Sequence, residues 1–218
     1  MSIITIERKI LEKNDEIARQ NRALLEKLSV FAINLLSSPG SGKTSLLERV
    51  LERLIGRLKM AVIEGDVHTD LDAQRVARYG VPVAQIVTHG GCHLEAKLVQ
   101  DALVRLPLEG IQTLFIENVG NLVCPANFDL GETVKVVVIS TTEGEDKPLK
   151  YPAIFRVAHA LVINKMDLLP YLSFQLEDLR RNALDVNPAL AMFETSCMTG
   201  AGIDEWCDWL LDRASSRL

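Results

Sequence analysis

The chain has 218 residues, 48% apolar and 24% charged, which predicts one globular domain with room for a terminal extension. Its net charge of −5 and pI of about 5.5 argue against a nucleic-acid-binding protein, because that class needs clustered Lys and Arg. No apolar run approaches the roughly 20 residues that span a bilayer, and the first residues lack a signal-peptide core. We therefore expect a cytoplasmic protein that binds neither nucleic acid nor membranes.

Apolar patterns along the chain predict one helix followed by an alternating α/β unit. Ile6 to Leu28 carries apolar residues at helical spacing, so residues 1–29 are expected to form an amphipathic helix that packs across the next domain or docks a partner. From residue 30, β-branched runs alternate with amphipathic stretches, as in a mostly parallel sheet buried on both faces. Strands are predicted at Phe31–Leu36, Met60–Glu64, Val83–Val87, Thr113–Glu117, Val134–Ser140, Ala160–Ile163 and Met192–Glu194. Helices are predicted at Thr44–Leu58, Asp70–Arg78, His93–Leu106, Pro148–Val157, Phe174–Val186 and Ile203–Arg213.

A phosphate-binding loop is predicted at Ser37–Thr44, between the first strand and the helix that follows it. Its glycines let successive backbone N–H groups face phosphate oxygens, and the helix N-terminus adds a partial positive charge. Lys43 is expected to bridge the β- and γ-phosphates, and the Thr44 hydroxyl to bind Mg²⁺. The general motif has Gly where this chain has Ser37, but its strand-to-helix context is intact. The fold class expected is therefore a P-loop NTPase, with nucleotide contacts from Gly40, Ser41, Gly42, Lys43, Thr44 and Ser45.

Two carboxylates stand at the ends of later strands, where ligand-binding groups of open α/β sheets gather. Asp66 follows the second strand and is expected to act on Mg²⁺ or on the attacking water. Glu117 ends the fourth strand and is expected to accept from a Mg²⁺ ligand, with Gly120 near the γ-phosphate. Each carboxylate has the alternative role of capping the segment that follows it.

The sequence Asn164-Lys165-Met166-Asp167 predicts a guanine-reading loop, because it follows a strand about 120 residues after the phosphate loop. The Asp167 carboxylate can accept from guanine N1–H and the exocyclic amine, whereas adenine would leave it unpaired. The Lys165 stem is expected to cover the base. Ser196 and Cys197, after the last strand, are expected to complete the base pocket through backbone N–H groups or only to pack. Residues 30–218 are thus predicted to form a GTPase domain that binds GTP or GDP with Mg²⁺.

Cys92, His93 and Cys124 are candidate ligands of a soft metal. Each follows a predicted strand end, so the topology places all of them on the rim that holds the phosphate loop. Thiolate and imidazole suit zinc, nickel or cobalt, and a set of three leaves an open position or requires a second copy. The alternative is that both cysteines are small buried residues and His93 caps a helix. The four cysteines form no CxxC pair, which argues against a zinc ribbon and, in a cytoplasmic chain, against disulfides.

These motifs together resemble the HypB family of GTPases, which assist nickel insertion into [NiFe] hydrogenase. The specific carriers of the resemblance are Gly91-Cys92-His93-Leu94 and Asn121-Leu122-Val123-Cys124-Pro125, beside Glu64-Gly65-Asp66 and Thr142-Glu143-Gly144-Glu145-Asp146-Lys147. The resemblance implies a homodimer in the GTP-bound state and a Ni²⁺ or Zn²⁺ site formed by Cys92, His93 and Cys124. It also implies a lysine at the dimer interface, for which Lys147 and Lys150 are equal candidates.

The implied partners are a HypA-like nickel chaperone and the precursor of the hydrogenase large subunit. Some family members carry an N-terminal cysteine motif or a histidine tract, whereas the first histidine of this chain is His68 and its first cysteine Cys92. Nickel handling is therefore expected to rest on the GTPase-domain site. Turnover is expected to be slow, because no arginine finger or catalytic glutamine is recognisable. The alternatives are a metal carrier in which GTP is structural, a UreG-like urease GTPase and a small-molecule kinase; Asp167 argues against the kinase.

Overall fold

The computed structural model describes the backbone of residues 6–215 and the side chains of residues 11–215. Seven strands form one sheet with the order β3-β2-β4-β1-β5-β6-β7, and every neighbouring pair is parallel. The strands are β1 (Phe31–Ser37), β2 (Met60–Asp66), β3 (Val83–Val87), β4 (Thr113–Glu117), β5 (Val134–Ser140), β6 (Ala160–Asn164) and β7 (Ala191–Glu194). The predicted P-loop α/β architecture is confirmed, and each predicted strand agrees to within two residues.

The helices are α1 (Ile6–Lys27), α2 (Lys43–Leu54), α3 (Leu71–Ala77), α4 (Ala96–Leu103), α5 (Lys147–Lys150), α6 (Pro152–Val157), α7 (Leu176–Val186) and α8 (Ile203–Ser215). Two 3₁₀ helices, Cys124–Asn127 and Met166–Tyr171, were not predicted. Because side chains alternate along each strand, both sheet faces are apolar and both are covered. Side chains of α2 and α8 pack on one face, and side chains of α4, α6 and α7 pack on the other.

Three predicted helices end or begin elsewhere for local reasons. Helix α2 stops at Leu54 rather than Leu58, because the chain turns through Gly56 at φ +83°. The predicted Pro148–Val157 helix is interrupted at Tyr151, whose φ of −126° suits a residue that precedes proline. The helix predicted from His93 begins only at Ala96, which leaves Cys92 and His93 in the preceding loop.

Helix α1 is confirmed, and part of its buried face is polar. The inward residues are Asn14, Ala18, Asn21 and Leu25, while Leu24 is 39% exposed. Both asparagines bond to Ala96 at the start of α4 and to the 129–130 segment, at distances of 2.8 to 3.0 Å. Polar residues thus stabilise the docking of this helix, and the apolar pattern alone did not reveal them. Ile6 and Ile10 lie outside the described side chains. Among the described helices, none combines the length and apolarity needed to cross a bilayer.

Candidate nucleotide and metal site

A cavity of about 570 Å³ opens at the carboxyl ends of β1, β2 and β4. Its size is typical of a small-molecule site, and the lining is rich in charge. The lining residues include Gly40, Gly42, Lys43, Thr44, Ser45, Asp66, Glu117, Gly120 and Lys165. The structure therefore brings the predicted phosphate loop, both carboxylates and one residue of the predicted base loop to one place.

The phosphate loop is held in shape by glycine conformation and by the Lys43 side chain. Gly42 has φ +95°, and a Cβ there would lie 2.5 Å from Asn164 Nδ2, so only glycine fits. Lys43 Nζ donates to Ser37 Oγ at 2.8 Å, and Ser37 Oγ donates to the Ser38 carbonyl at 2.7 Å. The serine that departs from the general motif thus provides an acceptor for the loop lysine.

Thr44 and Glu117 are hydrogen-bonded to each other, whereas Asp66 is hydrogen-bonded to the backbone of the segment that follows it. Thr44 Oγ1 donates to Glu117 Oε1 at 2.8 Å. Asp66 Oδ1 instead accepts the backbone N–H groups of His68 and Thr69 at 2.8 and 2.6 Å. Burial raises the pKa of Asp66, but these hydrogen bonds outweigh it and the net shift is downward. The capping alternative is therefore observed for Asp66, and Glu117 faces the phosphate loop.

Glu64 lies beside the cavity residue Glu117, and the sequence predicted no role for it beyond its place in the Glu64-Gly65-Asp66 motif. Parallel register pairs it with Glu117 across β2 and β4, so the two carboxyl groups lie on the same face. Both are almost fully buried. Burial and the neighbouring Glu117 charge raise the pKa of Glu64 to about 11, which favours its protonated form at neutral pH. Burial also raises the pKa of Glu117, against the opposing effects of Lys43 and Thr44.

The predicted base loop packs onto the phosphate loop through two side chains. Asn164 Nδ2 donates to the Ser41 carbonyl at 3.0 Å, and Lys165 Nζ donates to the Gly40 carbonyl at 2.7 Å. Lys165 has a left-handed φ of +62°, which turns the chain away from β6 before Asp167. Lys165 thus contacts the phosphate loop through its ammonium group and lines the cavity.

Ser196 and Cys197 lie beside the predicted base loop and bond to it or to their own segment. The Ser196 N–H donates to the Ala201 carbonyl at 2.9 Å, and the Cys197 N–H donates to Asn164 Oδ1 at 3.3 Å. Ser196 Oγ donates to Asp167 Oδ1. Both backbone N–H groups thus have partners within the protein, and the Ser196 hydroxyl holds the Asp167 carboxylate.

Cys92, His93 and Cys124 form one cluster, although they come from different loops. One candidate ligand atom from each lies within 4.8 Å of the other two, and Cys92 Sγ is 3.5 Å from His93 Nδ1. The His93 and Phe128 rings are in contact, with centroids 3.9 Å apart and planes tilted by 37°. The structure therefore brings the predicted soft-metal ligands together, and the capping alternative for His93 is wrong because α4 begins after Glu95.

Electrostatics at this cluster follow from contact and burial. Hydrogen bonding with Cys124 raises the pKa of Cys92, and burial adds to the rise. Burial lowers the pKa of His93, so the imidazole is neutral at pH 7 and has a lone pair available for a metal. Soft donors of this kind suit nickel or zinc.

Arg75 lines the cavity and is another residue that sequence reasoning missed. Its guanidinium bonds to Glu48 Oε2 at 2.6 Å, to Asp72 Oδ1 at 2.8 Å and to Ser45 Oγ at 3.2 Å. These bonds tie α3, which follows Asp66, to the helix that follows the phosphate loop. No sequence pattern indicates this role, because Arg75 is far along the chain from Ser45 and Glu48.

The family of the chain is decided by its sequence matches. The family model described as CobW/HypB/UreG, nucleotide-binding domain, matches residues 31–194. The hydrogenase maturation factor HypB of Azotobacter vinelandii is 54% identical over 217 residues, which cover 99% of this chain and 71% of that protein. The chain belongs to the HypB family.

Two solved HypB structures show the same fold at higher divergence. HypB from Archaeoglobus fulgidus is 39% identical with a TM-score of 0.87, covering 93% of this chain and 99% of that chain. HypB from Helicobacter pylori, solved in complex with nickel, is 36% identical with a TM-score of 0.89, covering 94% of this chain and 96% of that chain. The resemblance drawn from the Cys-His and Asn-Leu-Val-Cys-Pro motifs is thus confirmed, and so is a nucleotide-binding domain in a family of hydrogenase maturation factors.

Proposed function

We propose that this protein is a cytoplasmic, GTP-hydrolysing nickel metallochaperone of [NiFe]-hydrogenase maturation, in which GTP-dependent dimerisation is coupled to the Cys92–His93–Cys124 site. The observation that carries the proposal is the loop after β4. That loop begins beyond Glu117, which accepts the Thr44 hydroxyl, and it ends at Cys124 of the soft-donor cluster. Nucleotide chemistry and metal binding thus share one short segment of chain.

The residues present support hydrolysis of GTP to GDP and phosphate. Water attacks the γ-phosphorus and forms a new P–O bond while the bond to the β-phosphate oxygen breaks. The Lys43 ammonium, which donates to Ser37 Oγ in this structure, belongs to the loop that would hold those phosphates. It would offset their negative charge. Asp167, oriented by Ser196, supports the choice of guanine.

The oxygen donors fit a Mg²⁺ ion. A hydroxyl and two carboxylates, from Thr44, Glu117 and Asp66, line one cavity, and hard cations prefer such oxygen ligands. Mg²⁺ held by Thr44, with the carboxylates around it, would supply charge neutralisation at the phosphates. Glu64 would keep a proton facing Glu117, which limits the negative charge that the pocket holds.

Nickel is the metal that we propose as cargo. HypB of Helicobacter pylori forms a complex with nickel, and this chain offers two thiols and a neutral imidazole within 4.8 Å. Such a set is incomplete for a closed four-coordinate site, so a second copy or water would complete it. Cys92 is exposed, which makes that completion sterically accessible.

Of the two lysines considered for the dimer interface, we propose Lys150. Lys147 is 22% exposed, pairs with Glu143 at 3.5 Å and lies over the Tyr151 ring. Lys150 is 61% exposed and pairs with Asp146 at 2.6 Å, which is a weak solvated ion pair. Lys150 can therefore leave Asp146 for a partner on a second copy of the chain with little loss of stability. The proposed protein partners are a HypA-like nickel donor and the large-subunit precursor of the hydrogenase.

The test is a nickel titration of the protein loaded with GDP and then with a non-hydrolysable GTP analogue, with mass followed by light scattering. We expect a dimer with the analogue and a nickel Kd that differs between the two states. Equal nickel binding in both states would instead support a carrier in which GTP is structural. Phosphate release from GTP but not from ATP completes the assignment.

A further inference from the structure

The segment 118–123, here called the asparagine loop, contacts both the phosphate loop and the metal cluster. At its centre, Gly120 lies so close to Pro39 that a Cβ would sit 3.0 Å from Pro39 Cα. At its end, Cys124 contributes a thiol to the cluster. A change in the phosphate loop that moves Gly120 therefore acts on the same segment that ends at the metal ligand Cys124.

Two asparagines of this loop bond to the segment that carries the other metal ligands. Asn118 Oδ1 accepts the Leu94 N–H at 3.0 Å. Asn121 Nδ2 donates to the Cys92 carbonyl at 3.2 Å. The two bonds thus fall on either side of His93.

The contacts of these residues differ in rigidity. Asn118 is buried, and its Nδ2 donates to Asn34 Oδ1 at 3.2 Å, inside the sheet. Cys124 begins a 3₁₀ helix whose next residues, Pro125 and Ala126, are buried. The cluster is therefore held at Cys124 by packing, while Cys92 is held to the loop by the Asn121 amide.

We propose that Asn121 is a positioning residue that transmits the state of the nucleotide pocket to Cys92, while Asn118 holds Leu94 in place. When the loop shifts at Gly120, the Asn121 amide displaces Cys92, whereas Leu94 stays bonded to the buried Asn118 and Cys124 stays with its 3₁₀ helix. The distance between the thiols then depends on the nucleotide, and so does nickel affinity. This inference rests on the proposed nickel switch and assigns its transmission to one side chain.

The decisive variant is Asn121→Asp. Asn121 Oδ1 accepts the Val123 N–H at 2.8 Å, and an aspartate keeps that bond while losing the donor to the Cys92 carbonyl. Asn121→Ser is the uncharged second variant, because a serine hydroxyl also accepts from the residue two positions on but does not reach Cys92. Asn187→Asp is the matched control. Asn187 likewise accepts from Ala189 N–H, at 3.1 Å, and donates to the Ala158 carbonyl, at 2.9 Å, in a part of the fold far from both sites.

The measured quantity is the ratio of nickel Kd with GDP to nickel Kd with the non-hydrolysable GTP analogue. Thiolate-to-nickel absorption in the near ultraviolet verifies that thiolates bind the metal. We expect both Asn121 variants to bring the ratio within about twofold of one, while Asn187→Asp keeps the wild-type ratio. By linkage, nickel must change nucleotide affinity by the same factor in each protein, which checks the result independently.

A wild-type ratio that persists in Asn121→Asp and Asn121→Ser overturns this inference and leaves the nickel switch standing. A wild-type ratio of one overturns the switch itself, and the inference with it. Thermal unfolding shows whether each variant is folded. Because the Asn121 side chain is only partly buried, we expect both variants to fold, and one folded variant is enough for the test.

Discussion

The buried pair of Glu64 and Glu117 makes a testable prediction about stability. In the folded chain the pKa of Glu64 is raised to about 11, against an ordinary value of 4.5. Above pH 4.5 the unfolded chain loses the proton that the folded chain keeps. Stability contributed by this group is therefore complete below pH 4.5 and is lost as the pH rises toward the folded pKa.

The stability lost at neutral pH depends only on the pKa of Glu64 in the unfolded chain, because its pKa in the folded chain lies above 7. From pH 4.5 to pH 7, at about 1.4 kcal/mol per unit, the loss is about 3 kcal/mol. At pH 5 the same calculation gives less than about 1 kcal/mol. Glu64→Gln removes the ionisable group but keeps a hydrogen-bond donor facing Glu117. We therefore expect the variant to be more stable by about 3 kcal/mol at pH 7 and by under about 1 kcal/mol at pH 5.

The assay is thermal unfolding of the nucleotide-free protein in the presence of a chelator. For a chain of this length, the gain at pH 7 corresponds to a rise in Tm of about 6–12 °C. Equal shifts at pH 5 and pH 7, or a lower Tm at pH 7, would refute the assignment of the proton to Glu64.

The control is another buried glutamate with the opposite role. Glu132 is ion-paired with Lys135, and it also accepts from Asn34 and from the Leu130 N–H. Glu132→Gln leaves the Lys135 ammonium without its countercharge, so it should destabilise the protein by about 3 kcal/mol at both pH values.

Three further predictions concern the nucleotide, the metal and the dimer. Asp167→Asn should weaken GTP binding about 100-fold and favour xanthosine nucleotides, because two charge-assisted bonds to guanine are lost; unchanged GTP affinity in calorimetry would contradict the base assignment. Cys92→Ser should weaken thiolate-to-nickel absorption, because only the Cys124 thiolate remains, and lower nickel affinity at least tenfold while leaving GTP affinity unchanged; equal loss of nickel and GTP affinity would mean that the change acts through folding. Lys150→Ala should reduce the dimer fraction with the GTP analogue, measured by light scattering, whereas Lys147→Ala should not; the reverse order would show that exposure does not select the interface lysine.

Much of the fold was predictable because the five inner strands are short apolar runs with both faces buried. The phosphate loop was predictable for the same reason, since its glycines and Lys43 are adjacent in sequence and follow such a run. The convergence of Cys92 and Cys124 followed from a topological rule, because the carboxyl ends of parallel strands share one edge.

The parts that were missed depend on pairs that are distant in sequence. Asn14 and Asn21 face inward on α1 because they bond to the backbone of the 96 and 129–130 segments, and apolar periodicity cannot detect such partners. Glu64 offered one usable signal, a carboxylate inside the apolar run of β2. Its pairing with Glu117 required the strand order, in which β4 lies between β2 and β1.

That strand order also explains why nucleotide and metal can be coupled without a long pathway. Because β4 lies between β2 and β1, the loop that follows it has the phosphate loop on one side and the segment after β2 on the other. Leu94 fills the space on the β2 side, where a Cβ on Gly65 would lie 2.8 Å from Leu94 Cδ1. Any shift of the asparagine loop therefore meets the Cys92–Leu94 segment through direct contact. A two-state loop at this position suffices as the shared element that both ligands bias.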